Sequence, residues 1–177
     1  TVAAVAVGDD RSTEDREGLD RGATIAGIEV DLDDALATVV GWVGDATSIV
    51  ALTGAGISTD SGIADFRGRN GVWTRDPAAE RASTIEHYLS STEVRADAWR
   101  RRLTSPAWGA EPNDGHRALT ALHQQGRLAA VVTQNTDGLH QLAGVPGSSV
   151  IEMHGTMRRV GCIDCGDVAP MERALAR

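Results

Sequence analysis

Sulfur, aromatic rings and positive charge are all scarce in this chain. Its 177 residues hold two cysteines, one phenylalanine and one tyrosine, and 25 acidic side chains face 17 basic ones for a net charge of −8. Two cysteines cannot build a disulfide framework and suit a reducing compartment, with the cytoplasm as the expected location. The acidic balance argues against a binder of nucleic-acid backbone, which needs a basic surface. It is compatible with a cationic protein segment as partner. No apolar run approaches the ~20 residues that span a bilayer, so no membrane partner is expected. The amino terminus also lacks the basic, apolar and small-residue order of a secretion signal. What remains is a chain of one-domain size, long enough to bury a core.

What is present begins with the apolar run Ile49-Val50-Ala51-Leu52, followed by Thr53-Gly54-Ala55-Gly56-Ile57-Ser58. This reads as a buried strand running into a glycine-rich nucleotide loop, where Gly54 and Gly56 let the backbone turn sharply and approach a phosphate. The usual dinucleotide fingerprint asks for a third glycine three positions on, and Thr59 stands there instead. Two further strands end in polar clusters. Leu128–Thr133 is a continuous apolar run of the kind found in fully buried parallel strands, and it delivers Gln134-Asn135-Thr136-Asp137-Gly138-Leu139-His140. Val150–Met153 delivers His154-Gly155. Ligands of open α/β sheets bind beyond the carboxyl ends of the strands, so three such ends predict one crevice.

Residues 1–30 carry no sustained apolar period and read as a flexible extension. A helix is expected from Leu32 to about Gly44, capped by Asp31, with Leu32, Leu36, Val39, Val40 and Val43 packing on the sheet. Another is expected over Thr84–Arg102 with Tyr88, Leu89, Val94, Ala98 and Trp99 as its apolar face, inserted between the first two strands. A third spans Asn113–Gln125 and closes on Gly126. His87, His116, His123 and His140 receive no chemistry, and a satisfied packing role is expected for His116 and His123. The alternation of strands and helices predicts an α/β doubly wound sheet.

The spacing Cys162-Ile163-Asp164-Cys165, after a predicted strand Met157–Val160 and between Gly161 and Gly166, fits the turn of a zinc knuckle. A redox pair normally opens a helix, and inert thiols are the third reading. Tetrahedral zinc needs four ligands, and the pair supplies two.

Taken together, Gly54–Ser58, Gly62-Ile63-Ala64-Asp65-Phe66-Arg67-Gly68, the cluster Gln134–His140, His154-Gly155 and the cysteine pair resemble the sirtuins, the NAD-dependent protein-lysine deacylases. The resemblance covers roughly residues 32–177. It implies a Rossmann-like NAD-binding domain over 31–155, with a helical insertion at about 84–104, and the start of a small zinc-binding module at 156–177. It implies NAD as co-substrate and an acetylated protein lysine as partner, the acyl group passing to ADP-ribose with release of nicotinamide. His154 becomes the general base, a role that the ordinary imidazole range suits. Asn135 and Asp137 face the nicotinamide and ribose, with an Asx turn capping the next helix as their structural alternative. Gln134 contacts ribose, and Ala55, Ile57 and Ser58 line the pocket, although Ser58 also reads as an ordinary N-cap. Asp65, Phe66 and Arg67 lie on the loop over the cofactor, where Phe66 shields the reaction from water.

The chain departs from the family pattern in several places. Ala64 stands where many members carry proline, and Thr136 replaces isoleucine or valine. Asp97-Ala98-Trp99-Arg100 lacks the tyrosine of the pair that marks desuccinylases, so neutral acyl groups are expected. The family's second cysteine pair and later strands do not occur before Arg177, which predicts a truncated chain, an incomplete sheet with an uncovered apolar face, and only two of four zinc ligands. Two alternatives stay open: a catalytically incomplete fragment or pseudoenzyme that binds NAD or ADP-ribose, and a small metal-dependent hydrolase that uses His154 with the cysteines and needs no NAD. Oligomeric state is not legible.

Overall fold

The structure, a computed structural model, describes residues 2–7, 22–25, 28–69, 71–76, 79–80 and 83–176. In chain order come β1 (Val2–Val7), β2 (Gly22–Ile25), β3 (Ile28–Asp31), α1 (Leu32–Asp45) and β4 (Ser48–Thr53). A 3-10 helix (Ala55–Ser61) and α2 (Val72–Arg75) follow, then α3 (Ile85–Ser90), α4 (Thr92–Leu103) and α5 (Asp114–Gln124). The remainder is β5 (Leu128–Thr133), α6 (Leu139–Ala143), β6 (Val150–Glu152), β7 (Arg159–Gly161), β8 (Val168–Pro170) and α7 (Met171–Leu175).

Four strands form a parallel sheet in the order β1-β4-β5-β6. β4 and β5 hold its centre because each is an apolar run without glycine or proline, as strands covered by crossover helices require. The register pairs Thr53 with Thr133 and Thr133 with Glu152, so three strands end in one line. The polar clusters that follow them therefore leave from a common edge.

The row Ala51–Val131–Val150 points to the core, where Ala51 and Val131 are fully buried. Ile49, Ile57, Leu119, Leu128 and Val145 close around them, and Leu122 of α5 packs against the group. Fully burying a side chain such as Ile49 or Val131 contributes roughly 1.5–3 kcal/mol. The next row, Leu52–Val132–Ile151, has the opposite face, since side chains alternate along a strand. There Leu52 is 43% and Ile151 54% exposed. This is the uncovered apolar face that the sequence predicts.

Some expectations change. Within the segment read as an extension, Val2–Val7 pairs along β4, and Gly22–Ile25 with Ile28–Asp31 forms an antiparallel ribbon; the rest lies outside the described residues. A six-residue Val/Ala run is short enough to pass for a loose tail, yet it has the uninterrupted apolar character of a parallel strand. In α1, Asp31 caps as expected, accepting from the N–H groups of Asp33 and Asp34 at 2.9 and 3.2 Å. Only Leu32, Ala35, Val39 and Val43 turn inward, half-buried, while Leu36, Val40 and Trp42 on the flanks of that stripe remain exposed. The helix expected over 84–102 breaks at Ser91, whose hydroxyl caps α4 through the N–H of Val94 at 3.3 Å. The strand expected over 157–160 starts at Arg159, because the N–H of Met157 is taken by the carbonyl of Thr136 at 2.8 Å. Val168–Pro170 pairs with β7 before the last helix begins, so that helix starts at Met171.

Candidate functional site

β4 passes straight into the 3-10 helix, which ends at Gly62. Neither Gly54 nor Gly56 takes a positive φ, so the sharp glycine turn expected here is not what shapes the loop. Gly54 is extended, and a Cβ built on it meets nothing within 4 Å. Its use is open space beside a backbone that a ligand can approach.

Ser58 points inward from the 3-10 helix and Asp137 from the loop after β5; each is at most 6% exposed. The Ser58 hydroxyl donates to Asp137 Oδ2 at 2.8 Å. Asn135 Nδ2 donates to Ser58 Oγ at 3.1 Å and to the carbonyl of Gly54 at 2.9 Å. The bonds run in one direction, amide to hydroxyl to carboxylate, which polarises each link. Asp137 Oδ1 also accepts from the N–H of Leu139 at 2.9 Å, the Asx turn that opens α6. The turn stands just ahead of α6, whose N-cap is Gly138, and each oxygen of Asp137 keeps a further lone pair. Gln134 is exposed beside this set, its N–H bonded to the carbonyl of Thr53 at 3.0 Å.

His154 follows β6 in a turn pinned at both ends. The N–H of Met153 donates to Thr133 at 2.9 Å and that of Met157 to Thr136 at 2.8 Å. The turn that carries the exposed His154 imidazole is thus tied to the end of β5 and to the loop that holds Asn135 and Asp137. The structure brings together Gly54, Ser58, Asn135 and Asp137 by direct bonds and hinges His154 on the same strand end.

Asp65, Phe66 and Arg67 lie on a loop with its own fastenings. Asp65 Oδ1 accepts from the N–H of Gly68 at 3.2 Å, Phe66 stacks on Trp73 with ring centroids 4.6 Å apart, and the Arg67 guanidinium lies 4.6 Å over the same indole. Phe66 is 47% exposed. Gly71 is buried against the Phe66 backbone: a Cβ there would lie 2.6 Å from the carbonyl carbon and oxygen of Phe66. Gly71→Ala is expected to displace this loop and cost about 1–3 kcal/mol, as overpacking does. Urea denaturation checks it; an unchanged midpoint would show that the close approach does not matter.

Residues 54–177 match the Sir2 family. An NAD-dependent protein deacetylase of Streptomyces coelicolor is 51% identical over 129 residues, 73% of this chain and 54% of that protein. The chain belongs to the Sir2 family. A second relative, from Thermodesulfovibrio yellowstonii and of the same name, is 46% identical over 73% of the chain and 49% of its own length. Among solved structures, a Sir2 enzyme with a deacetylated p53 peptide and 3′-O-acetyl ADP-ribose aligns with TM-score 0.67 and 35% identity, over 77% of this chain and 54% of that one. A Sir2 enzyme bound to a propionylated peptide aligns with TM-score 0.65 and 31% identity, over 80% and 54%. The chain spans about half the length of the curated relatives it matches.

Three residues of this Sir2-family site escaped sequence reasoning. Asn113, the N-cap of α5, reaches back through Nδ2 to the carbonyl of Ile57 at 2.6 Å and Ser61 Oγ at 3.0 Å, fastening the 3-10 helix from behind. His140 and His116 are at most 1% exposed, with ring centroids 4.9 Å apart. His140 Nε2 bonds Thr53 Oγ1 at 2.9 Å and His116 Nδ1 bonds Asn113 Oδ1 at 3.0 Å. Among the described residues the other nitrogen of each ring has no partner, nor has Nδ1 of His123, so the expectation of satisfied packing for His116 and His123 holds only in part. Burial pushes both imidazoles down, His140 to about 4, with the neighbouring His116 adding to that shift and Asp137 opposing it. The available signal was Asn113 and His116 at capping-box spacing, a structural motif that says nothing of a site.

Cys162 and Cys165 sit on the turn between β7 and β8, both exposed. Backbone hydrogen bonding from Cys165, then from Asp164, and then the Cys165 thiol hold the Cys162 thiol below its ordinary range. The pair supplies at most two of the four ligands that structural zinc needs. Among the described residues no group of three His, Cys, Asp or Glu could hold a metal.

Proposed function

We propose that this chain is the NAD-binding portion of an NAD-dependent protein-lysine deacetylase, which passes the acetyl group to ADP-ribose and releases nicotinamide. The observation that carries the reading is the bonded set Gly54–Ser58–Asn135–Asp137 with His154 hinged on the same sheet edge. Bound NAD supplies the ribose carbon that receives the acyl oxygen. The open backbone at Gly54, with Ala55, Ile57 and Ser58, cradles its phosphate and ribose. Gln134 contacts ribose, while Asn135 and Asp137 orient the nicotinamide end through the side-chain oxygen lone pairs left to them. His154 takes the proton of a ribose hydroxyl on its exposed ring nitrogen. Asp65, Phe66 and Arg67 close over the site and exclude water. Neutral acyl groups are the substrates, in a reducing cytoplasm, and Cys162 and Cys165 ligate zinc.

A second reading is binding of NAD or ADP-ribose without turnover. One experiment separates them: incubate the folded chain with NAD and an acetyl-lysine peptide and follow nicotinamide by mass spectrometry. Release that needs NAD and peptide, and that falls about 10²–10⁴-fold in His154→Ala, supports the deacetylase. Calorimetric binding of ADP-ribose with no release supports the second reading. Peptide deacetylation without NAD would sink both.

A further inference from the structure

Arg158 stands where three separate stretches of the chain meet. Its carbonyl accepts the N–H of Met171, the first residue of α7, at 2.9 Å, and its own N–H donates to Thr156 Oγ1 at 3.3 Å, so the backbone that carries the side chain is held on both sides. The half-buried side chain runs along Gly138, with Nε and Cγ 3.5 and 3.6 Å from the place a Cβ would take there. Its Nη2 donates to the carbonyl of Asp137 at 3.3 Å, and the guanidinium lies 5.2 Å over the indole of Trp108. That indole is fixed in turn, because its N–H donates to the carbonyl of Arg102, near the end of α4, at 2.6 Å. A planar guanidinium can donate at its edge while it stacks through its face, which a compact ammonium cannot do. The bond it makes falls at a sensitive place. The carbonyl of Asp137 belongs to the peptide that leads into Gly138, a left-handed residue of φ 76° at which the chain turns into α6. Ser58 and the N–H of Leu139 hold the carboxylate of Asp137, whereas Arg158 holds the backbone from which that carboxylate projects.

We propose that Arg158 is a positioning residue for the nicotinamide end of the site: it clamps the peptide between Asp137 and Gly138 against Trp108, and so ties the aim of the Asp137 carboxylate to the segment that follows the helical insertion. It acts through Asp137 rather than on the substrate. The role in the site rests on the proposed reading of Asp137; the clamp does not. Arg158→Met tests both, because it keeps an apolar stem over Gly138 and removes the guanidinium. Hydrogen exchange at the amides of Leu139 and Leu142, whose acceptors are Asp137 Oδ1 and the carbonyl of Gly138, reads the clamp with no ligand present. Protection of both amides should fall roughly 10-fold, the scale of one hydrogen bond, in Arg158→Met and in Trp108→Leu, while the amides of β4 keep the protection of the parent chain. The double variant should lose little more than either single one, since the two residues form one clamp. NAD affinity, measured by calorimetry, should fall roughly 10-fold in Arg158→Met, and Arg158→Lys, which keeps the charge and a donor without the stacking face, should lie between that variant and the parent in both readouts. Unchanged protection of Leu139 and Leu142 overturns the clamp, as does a loss that the β4 amides share equally. Protection lost with NAD affinity unchanged overturns the role in the site. A parent chain that binds no NAD overturns the reading of Asp137, and the exchange data then decide the clamp alone.

Discussion

Asp137→Asn, a change of one atom, is expected to destabilise the chain by about 2–3 kcal/mol, the scale of losing a buried hydrogen bond to a charged group. Both carboxylate oxygens accept: Oδ2 from the Ser58 hydroxyl at 2.8 Å and Oδ1 from the N–H of Leu139 at 2.9 Å. An asparagine offers one oxygen and one NH2, so either flip sets a donor against a donor. Ser58 Oγ already accepts from Asn135 Nδ2 at 3.1 Å, and if it rotates to accept the new NH2 on its second lone pair, its one proton loses Asp137 as acceptor. The residue is 6% exposed, so water cannot easily fill the gap. Urea denaturation measures the loss, and stability within ~0.5 kcal/mol of the parent chain would refute the account. Ser58→Ala removes a donor and leaves one oxygen of Asp137 with lone pairs only, so a smaller cost of about 1–2 kcal/mol is expected. The two changes should couple, because both act on one chain of bonds.

The same bonds give the substitution a functional reading. Asn135, Ser58 and Asp137 hold the loop after β5 against the 3-10 helix after β4, and the two segments are 77 to 81 residues apart in sequence. Loosening them moves the carboxylate and the amide that are proposed to orient nicotinamide. NAD affinity should therefore fall in Asp137→Asn even where the protein is fully folded.

How much of this was legible follows from what kind of interaction made each part. β5 was read to the residue, Leu128–Thr133, because the strand is written as an uninterrupted apolar run. The Asp31 cap was legible for a local reason: a side chain and the N–H groups it serves lie within three residues. Ser91 breaking the helix was not, because Ser-Ser-Thr only tips a local competition that tertiary contacts decide. The family motifs named Ser58, Asn135 and Asp137, but not that they bind one another before any ligand arrives. His140 was out of reach: its partner Thr53 is 87 residues away, and nothing in Leu139-His140-Gln141 signals a buried ring. Long-range polar pairing has no period, and periodicity is what a sequence displays.

That buried ring should make the chain acid-sensitive in a defined window. His140 is held down to about 4 from an ordinary 6.5, chiefly by burial and secondly by His116, with Asp137 pulling the other way. Thr53 fills one nitrogen, and the other faces no partner that a proton could satisfy. Between about 4 and 6.5 the unfolded chain therefore binds a proton at this residue that the folded chain refuses. The contribution to stability is fully present above 6.5 and is lost as pH falls to about 4. With 1.36 kcal/mol per pH unit, the whole window is worth about 3 kcal/mol. His116, pushed down in the same direction, adds to the slope. The readout is the change of unfolding free energy with pH, which separates titration from any general cost of mutation. In His140→Gln the slope between pH 4.5 and 6 should be shallower by about one proton's worth, whatever the variant's stability at neutral pH. An equal slope in the two proteins would mean that the ring is solvated in solution and that the wall behind Asp137 is open.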